Sequence, residues 1–257
     1  AAIFSAKELG RNRVRLYQPE DMVLEKMHAG LEWKGRIQKA IRDNRIETWY
    51  QPILELKTGT IKHYEALVRM RSEDMSIVQP GEFISTAETL GLIMDIDRVV
   101  IEKTLQYKRK LIKEGVYLYF SLNLSAKDLD DRGFKKFLME MVTALQEDAG
   151  YLIFEITETT AVHELDTAVK FIRELKTTGC KFSLDDFGVG FTSFRYLQEM
   201  NLDYIKIDGA FITKLTESRN DRLFVKSMVD VAHGLGMETV AEFVETRETI
   251  EVLRELG

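Results

Sequence analysis

The chain has 257 residues, 45% hydrophobic and 30% charged, with 16 glycines and 3 prolines. That composition supports a sizeable core and leaves little room for long disordered linkers. Its 36 lysines and arginines against 42 acids give a net charge of −6, which lacks the basic footprint of a protein that grips duplex nucleic acid but is compatible with a small anion held through a bound cation. One cysteine, Cys180, excludes an internal disulfide and fits a reducing compartment, and no apolar run of about 18 residues marks a membrane span or signal peptide.

Residues 1–17 read as a helix ending at Gly10 and followed by an extended VRLY segment. Residues 20–45 carry helical spacing at Leu24, Met27, Leu31, Ile37 and Ile41, weakened by Gly30 and Gly35. From residue 47 strands and helices alternate. WYQPILEL (49–56) and IKHYEALVRM (61–70) are predicted strands, joined by a turn short enough for an antiparallel hairpin. Helices over 80–89 and 93–113 precede a strand at 116–125, and a helix over 131–147 leads to a strand at 151–157. Helix 162–177 then precedes strand 180–186, helix 192–199 precedes strand 203–208, helix 220–234 precedes strand 237–244, and helix 246–255 follows. Such alternation predicts βαβ units and a mostly parallel sheet. Seven strands are one short of a closed eight-stranded barrel, so a final strand is missing or the sheet is open. A doubly wound sheet is the rival fold, although its usual glycine-rich dinucleotide loop is absent.

Several polar residues interrupt strands that are otherwise apolar: Glu65, Asn123, Glu155, Asp185, Asp186, Glu242 and Lys206. Burying a carboxylate costs several kcal/mol or more unless it is compensated. Five of these side chains are acids and one is a base, so they call for a shared cation, and hard oxygen donors suit a divalent metal. In a barrel the C-terminal ends of distant strands converge at one mouth. Taken singly, each glutamate reads more readily as an ion-pair member, Asp185-Asp186 as a loop start or helix cap, Asn123 as a turn cap, and Lys206 as a structural partner for Asp208 or a neighbouring carboxylate. His28, His63, His163 and His233 lack metal spacing and read as surface or packed residues, and no Cys–His arrangement suggests zinc. Ser193 lacks the partners of a serine nucleophile.

At these positions the sequence resembles the EAL family of cyclic di-GMP phosphodiesterases. The carrying segments are YQPI (50–53), EALVR (65–69), NLS (123–125), EITE (155–158), DDFGVGFTSF (185–194), KID (206–208) and AEFVE (241–245), spread over residues 36–257. The resemblance implies a TIM-like (β/α)8 barrel of the α/β class, and hydrolysis of cyclic di-GMP to linear pGpG with Mg2+ or Mn2+, two ions in all. It implies Glu65, Asn123, Glu155 and Asp185 as metal ligands, with Asp186 and Glu242 at the second ion and Glu242 also holding water. Lys206 would orient water or stabilise charge at the phosphate, making Glu242, Lys206 and Asp186 the catalytic set. Gln51, Leu67, Arg69 and Glu245 would meet the dinucleotide, and Glu158 would anchor the loop after strand 180–186. Phe243 stands where many members carry glycine.

Residues 1–19 resemble the tail of a GGDEF domain, followed by a linker helix over 20–35 and an EAL domain, C-terminally incomplete, over 36–257. The chain is therefore expected to be a cytoplasmic piece of a longer signalling protein, with upstream GGDEF and sensory domains and with membrane anchoring left open. A homodimer paired through the DFGVGFTSF loop is expected as well. The alternative readings are a receptor that binds cyclic di-GMP without cleaving it, and a partner-binding domain.

Overall fold

The computed structural model describes the backbone of residues 22–190 and 194–257, and the side chains of 30–190 and 195–257. The helix and GGDEF-like tail expected within residues 1–19 lie outside the described residues, as does Ser193. No helix among the described residues is long and apolar enough to cross a membrane. The chain divides into two compact units, Ala1–Glu47 with Val68–Val99, and Thr48–Leu67 with Val100–Gly257.

In the first unit the helix Met22–Arg42 runs unbroken through Gly30 and Gly35. Each glycine costs about 1 kcal/mol against alanine, and complete burial of Ile37 and Ala40 offsets this. It packs on the helix Pro80–Leu90, which buries Phe83 and Ala87. That second helix begins where Gln79 N donates to Glu82 Oε1 at 2.9 Å and ends at Gly91, whose φ of 73° is comfortable only without a Cβ. A two-residue strand, β3 (Ile77–Val78), pairs antiparallel with Met70 and Arg71 at the end of β2 (Thr60–Arg71).

The second unit carries the sheet that matters for function. Its strands are β1 (Ile46–Glu55), β2, β4 (Tyr119–Asn123), β5 (Leu152–Thr157), β6 (Lys181–Phe187), β7 (Tyr204–Ile207) and β8 (Glu238–Ala241), and their spatial order equals their chain order. Four residues connect β1 to its hydrogen-bonded neighbour β2, a link too short for anything but an antiparallel hairpin. From β2 through β4, β5, β6 and β7 to β8 every pairing is parallel. Among the described residues nothing pairs β8 with β1, so the sheet is an open (β/α)-barrel type, as the count of seven strands implied.

Strand periodicity then sorts the side chains. Phe120, Leu122, Phe154, Ile156, Phe182 and Leu184 are all 1% exposed or less and form the apolar face against the helices, where Phe171 of the helix Leu165–Lys176 meets Phe182 edge to face, 6.3 Å between centroids. Residues offset by one position point to the other face of the sheet, and there the sequence is polar.

Candidate metal centre

Parallel register sets out the acids. Asn123 lies opposite Glu155, and Thr157 lies opposite Asp185. Lys206, at 2% exposure, reaches into their midst. Its Nζ is 3.1 Å from Glu65 Oε2, 2.9 Å from Glu155 Oε2, 3.1 Å from Asp185 Oδ1 and 3.0 Å from Glu242 Oε1. Asn123 Nδ2 donates to Glu65 Oε1 at 3.1 Å, which leaves its amide oxygen as an acceptor for a cation.

Two consecutive aspartates cannot share one side of a regular strand. Here the ladder between β6 and β7 passes from Leu184↔Ile205 to Phe187↔Ile207, so two residues of β6 oppose Lys206 alone. This bulge turns the backbone at Asp186 to a φ of 57°, and Asp186 N donates to Asp185 Oδ1 at 3.0 Å. Glu242 follows the end of β8, its N–H donating to Ile207 O at 3.3 Å. Carboxylate oxygens of Asp185, Asp186 and Glu242 consequently lie within 4.8 Å of one another.

Electrostatics follow from this crowding. Burial, set against the nearby Lys206, pushes the Glu155 carboxyl up to about 7. Burial also raises Glu242, with Lys206 opposing it, and raises Asp186, with Asp185 and Asp208 adding to the effect. Burial works against the charge of Lys206, but Glu155, Glu65, Asp185 and Glu242 outweigh it and hold the ammonium well above its ordinary value. Four carboxylates share one ammonium, and Asp186 stands beside them. That excess of hard oxygen donors fits Mg2+ or Mn2+ better than a thiolate- or imidazole-seeking metal.

Glu158 opens the short helix Glu158–His163 and is 2% exposed. Its Oε2 accepts from the backbone N–H groups of Gly188 and Gly190, both at 2.9 Å. A Cβ at Gly190 would stand 2.8 Å from the Glu158 carboxyl carbon, so the tight backbone path of this loop closes on the protein's own side chain. Asp208, the alternative partner for Lys206, instead caps the helix Gly209–Ile212 by accepting from Ala210 N at 2.7 Å.

The remaining candidates stand apart from the cluster's hydrogen bonds. Gln51 is exposed on β1, Leu67 is half-buried on β2, and Glu245 is exposed beyond β8. Among the described residues no hydrogen bond or ion pair joins these three to the carboxylates. Arg69 falls in the first unit, where Nη1 donates to Val68 O at 2.8 Å. His63, expected as a surface or packed residue, packs beneath the acids, where its Nε2 lies 2.6 Å from Ser121 Oγ, a pairing that no residue taken singly announces. Burial, with Lys206 and Lys181 nearby, pulls this imidazole down to about 4, so it is neutral at physiological pH. The available signal was a polar residue two positions before a site residue: His63 before Glu65, Ser121 before Asn123, Ser183 before Asp185, Tyr204 before Lys206.

Hard oxygen ligands gathered at the C-terminal ends of parallel strands define a barrel-mouth site of the kind that holds divalent cations. The chain belongs to the EAL domain family, which it matches over residues 34–257. It is 35% identical over 260 residues to Cyclic di-GMP phosphodiesterase PdeB of Shewanella oneidensis, a match covering 100% of this chain and 30% of that protein. Cyclic di-GMP phosphodiesterase NbdA of Pseudomonas aeruginosa is 31% identical, with 99% and 32% covered. Among solved structures, the c-di-GMP complex of the phosphodiesterase PaMucR aligns with a TM-score of 0.83 at 29% identity, covering 88% of this chain and 92% of that one. An EAL domain protein from Listeria monocytogenes aligns with a TM-score of 0.76 at 32% identity and 87% coverage of each chain. The chain spans less than a third of the length of the curated relatives named here.

Proposed function

We propose that this chain is a metal-dependent phosphodiesterase domain that hydrolyses cyclic di-GMP to linear pGpG and so ends a second-messenger signal. The observation that carries the reading is the meeting of Glu65, Glu155, Asp185 and Glu242 around Lys206 Nζ at 2.9–3.1 Å, with Asp186 beside them. Two bound divalent ions, Mg2+ or Mn2+, supply an activated water and relief of charge on the phosphate. Glu65, Asn123, Glu155 and Asp185 would hold one ion, and Asp186 and Glu242, beside Asp185, would hold the other. Glu242 accepts a hydrogen bond from the attacking water and orients it. Lys206, released from part of its carboxylate shell, places its charge at the phosphate. The water oxygen bonds to phosphorus, one ester P–O bond breaks, and the departing sugar oxygen takes up a proton. Gln51, Leu67 and Glu245 contact the dinucleotide, Arg69 grips a phosphate through its planar fork, and Glu158 holds the loop at Gly188 and Gly190.

The greater length of the relatives supports a parent protein with further domains. Residues 1–19 as the tail of a GGDEF domain, residues 20–35 as a linker helix, a homodimer, and a cytoplasmic location in a soluble or membrane-anchored parent belong to the same proposal. The test is turnover of cyclic di-GMP with Mg2+ or Mn2+, comparing the parent chain with Glu65→Ala. Loss of even an outer partner of a ligand costs about 10–100-fold in metal affinity or activity, so loss of a direct ligand is expected to lower turnover at limiting metal by more than about 100-fold. Wild-type turnover by E65A defeats the ligand assignment. Binding by the parent without turnover replaces the enzyme with a receptor, and neither binding nor turnover leaves a partner-binding domain.

A further inference from the structure

The polar layer beneath the carboxylates contains one hydroxyl without a hydrogen-bond partner among the described residues. His63 and Ser121 satisfy each other at 2.6 Å, and Tyr204 Oη accepts from Lys181 Nζ at 3.2 Å. Ser183 differs. It is 1% exposed, and its Oγ has no hydrogen-bond partner among the described residues. Buried hydroxyls without partners are uncommon and destabilising, and they ask for an explanation.

Ser183 and Glu155 are register partners on β6 and β5, and in a parallel ladder such partners project to the same side. Glu155, also 1% exposed, has Oε2 held by Lys206 Nζ at 2.9 Å. That hold is shared. Four carboxylates lie within 3.1 Å of an ammonium that has only three N–H donors. One acid at a time must look elsewhere, and Glu155 is the most deeply buried of the four. Its register partners are Asn123, whose amide already donates to Glu65 Oε1 at 3.1 Å, and Ser183, whose hydroxyl has no partner among the described residues.

We propose that Ser183 is a positioning residue for Glu155: its hydroxyl donates to the Glu155 carboxylate, directly or across one buried water, when that carboxylate turns from Lys206 to a divalent cation. The inference rests on the metal-dependent reading above. Ligating carboxylates are oriented by such outer donors, and buried water characteristically links polar groups left unsatisfied by protein partners. Ser183 is too short and too deep to meet substrate, so its effect passes through Glu155.

The experiment measures Mn2+ dissociation constants by electron paramagnetic resonance, and metal-free melting temperatures, for the parent chain, Ser183→Ala, Ser183→Cys and Glu155→Gln. The expected result is about tenfold weaker Mn2+ binding in S183A, a smaller loss in S183C, whose thiol is a weak donor, and the largest loss in E155Q. A merely structural hydroxyl would move the melting temperature and leave Mn2+ affinity alone. Where S183A does not fold, S183C carries the same readout. A parent that binds Mn2+, with both Ser183 variants that fold within twofold of it, overturns this inference alone. A parent that binds no Mn2+ overturns the metal-dependent reading and this inference together.

Discussion

Replacing Lys206 with methionine removes the ammonium that holds the acidic cluster and keeps an unbranched side chain in its place. Its four carboxylate partners are unequally buried, with side-chain exposures of 1% for Glu155, 13% for Asp185, 14% for Glu65 and 20% for Glu242. Breaking a buried pair by removing one partner costs about 3–5 kcal/mol. Three of the four acids recover some hydration, which places the metal-free cost near the lower end, about 3 kcal/mol. For a chain of this size that lowers the melting temperature by roughly 6–12 °C. The deficit depends on pH. Lys206 opposes the upward push that burial exerts on Glu155, so without the lysine this carboxyl rises further above 7 and stays protonated over a wider range. A protonated acid no longer needs the ammonium, and the deficit therefore shrinks in acid and is full in alkali. The assay is thermal unfolding of metal-free parent and K206M at pH 5.5 and pH 8.5, pH values chosen to fall about 1.5 units either side of that carboxyl's parent value. A deficit below about 2 °C at pH 8.5, or one equal at the two pH values, refutes the account of Lys206 as the charge that holds the cluster together.

The metal-free parent also titrates in a defined direction. The Glu155 carboxyl lies at about 7 when folded against an ordinary 4.5, so the folded state binds more protons between those values. Stability is expected to fall as pH rises through that window, by an amount on the order of 3 kcal/mol, and a flat melting temperature from pH 5 to pH 8 in chelator contradicts it. Glu158→Gln weakens two charge-assisted bonds, each worth about 1.5–3 kcal/mol, so amide exchange at Gly188 and Gly190 is expected to accelerate while the strands stay protected. Mass-spectrometric exchange reads this directly, and unchanged protection at those two amides removes Glu158 as the anchor. A Cβ at Gly209 would come within 2.3 Å of Phe243 Cδ2, so Gly209→Ala is expected to cost about 1–3 kcal/mol by overpacking. Adding Phe243→Gly should return most of it, because the ring leaves and a residue at φ 52° no longer carries a side chain. Additive losses in the double variant show that the two positions do not meet.

Long regular elements were legible because burial imposes a period. The strand at 151–157 and the helices at 93–113 and 220–234 lie within a residue or so of Leu152–Thr157, Ile93–Lys113 and Arg219–Gly234. Short pieces were not. Ala126–Asp130, Glu158–His163 and Gly209–Ile212 span fewer than two turns and give no repeat to detect. METVAEFV reads as a strand to its end because Phe243 favours extended backbone, yet the chain turns left-handed there and β8 stops at Ala241. The residues of the acidic cluster were legible as polar breaks in apolar strands, but their arrangement was not. The bulge at Asp185-Asp186 lies in the register of β6 against β7, a property of two strands that no local window contains.

A pocket with five carboxylates and one ammonium carries four unmatched negative charges if every acid is ionised. The structure relieves this in two ways, by packing Lys206 against four acids at 2.9–3.1 Å and by raising the proton affinity of Glu155, Glu242 and Asp186. Both are substitutes for cations, and on the proposed function both would give way to two divalent ions, whose four positive charges equal the deficit. On that reading metal binding would be an exchange in which protons leave, carboxylates turn from the lysine, and Lys206 keeps charge for the phosphate. The coupling gives apparent metal affinity a slope with pH, full below the Glu155 value of about 7 and flattening above it. On the same reading the lysine first keeps the carboxylates together and would then face the substrate, one buried side chain holding both offices because its partners change.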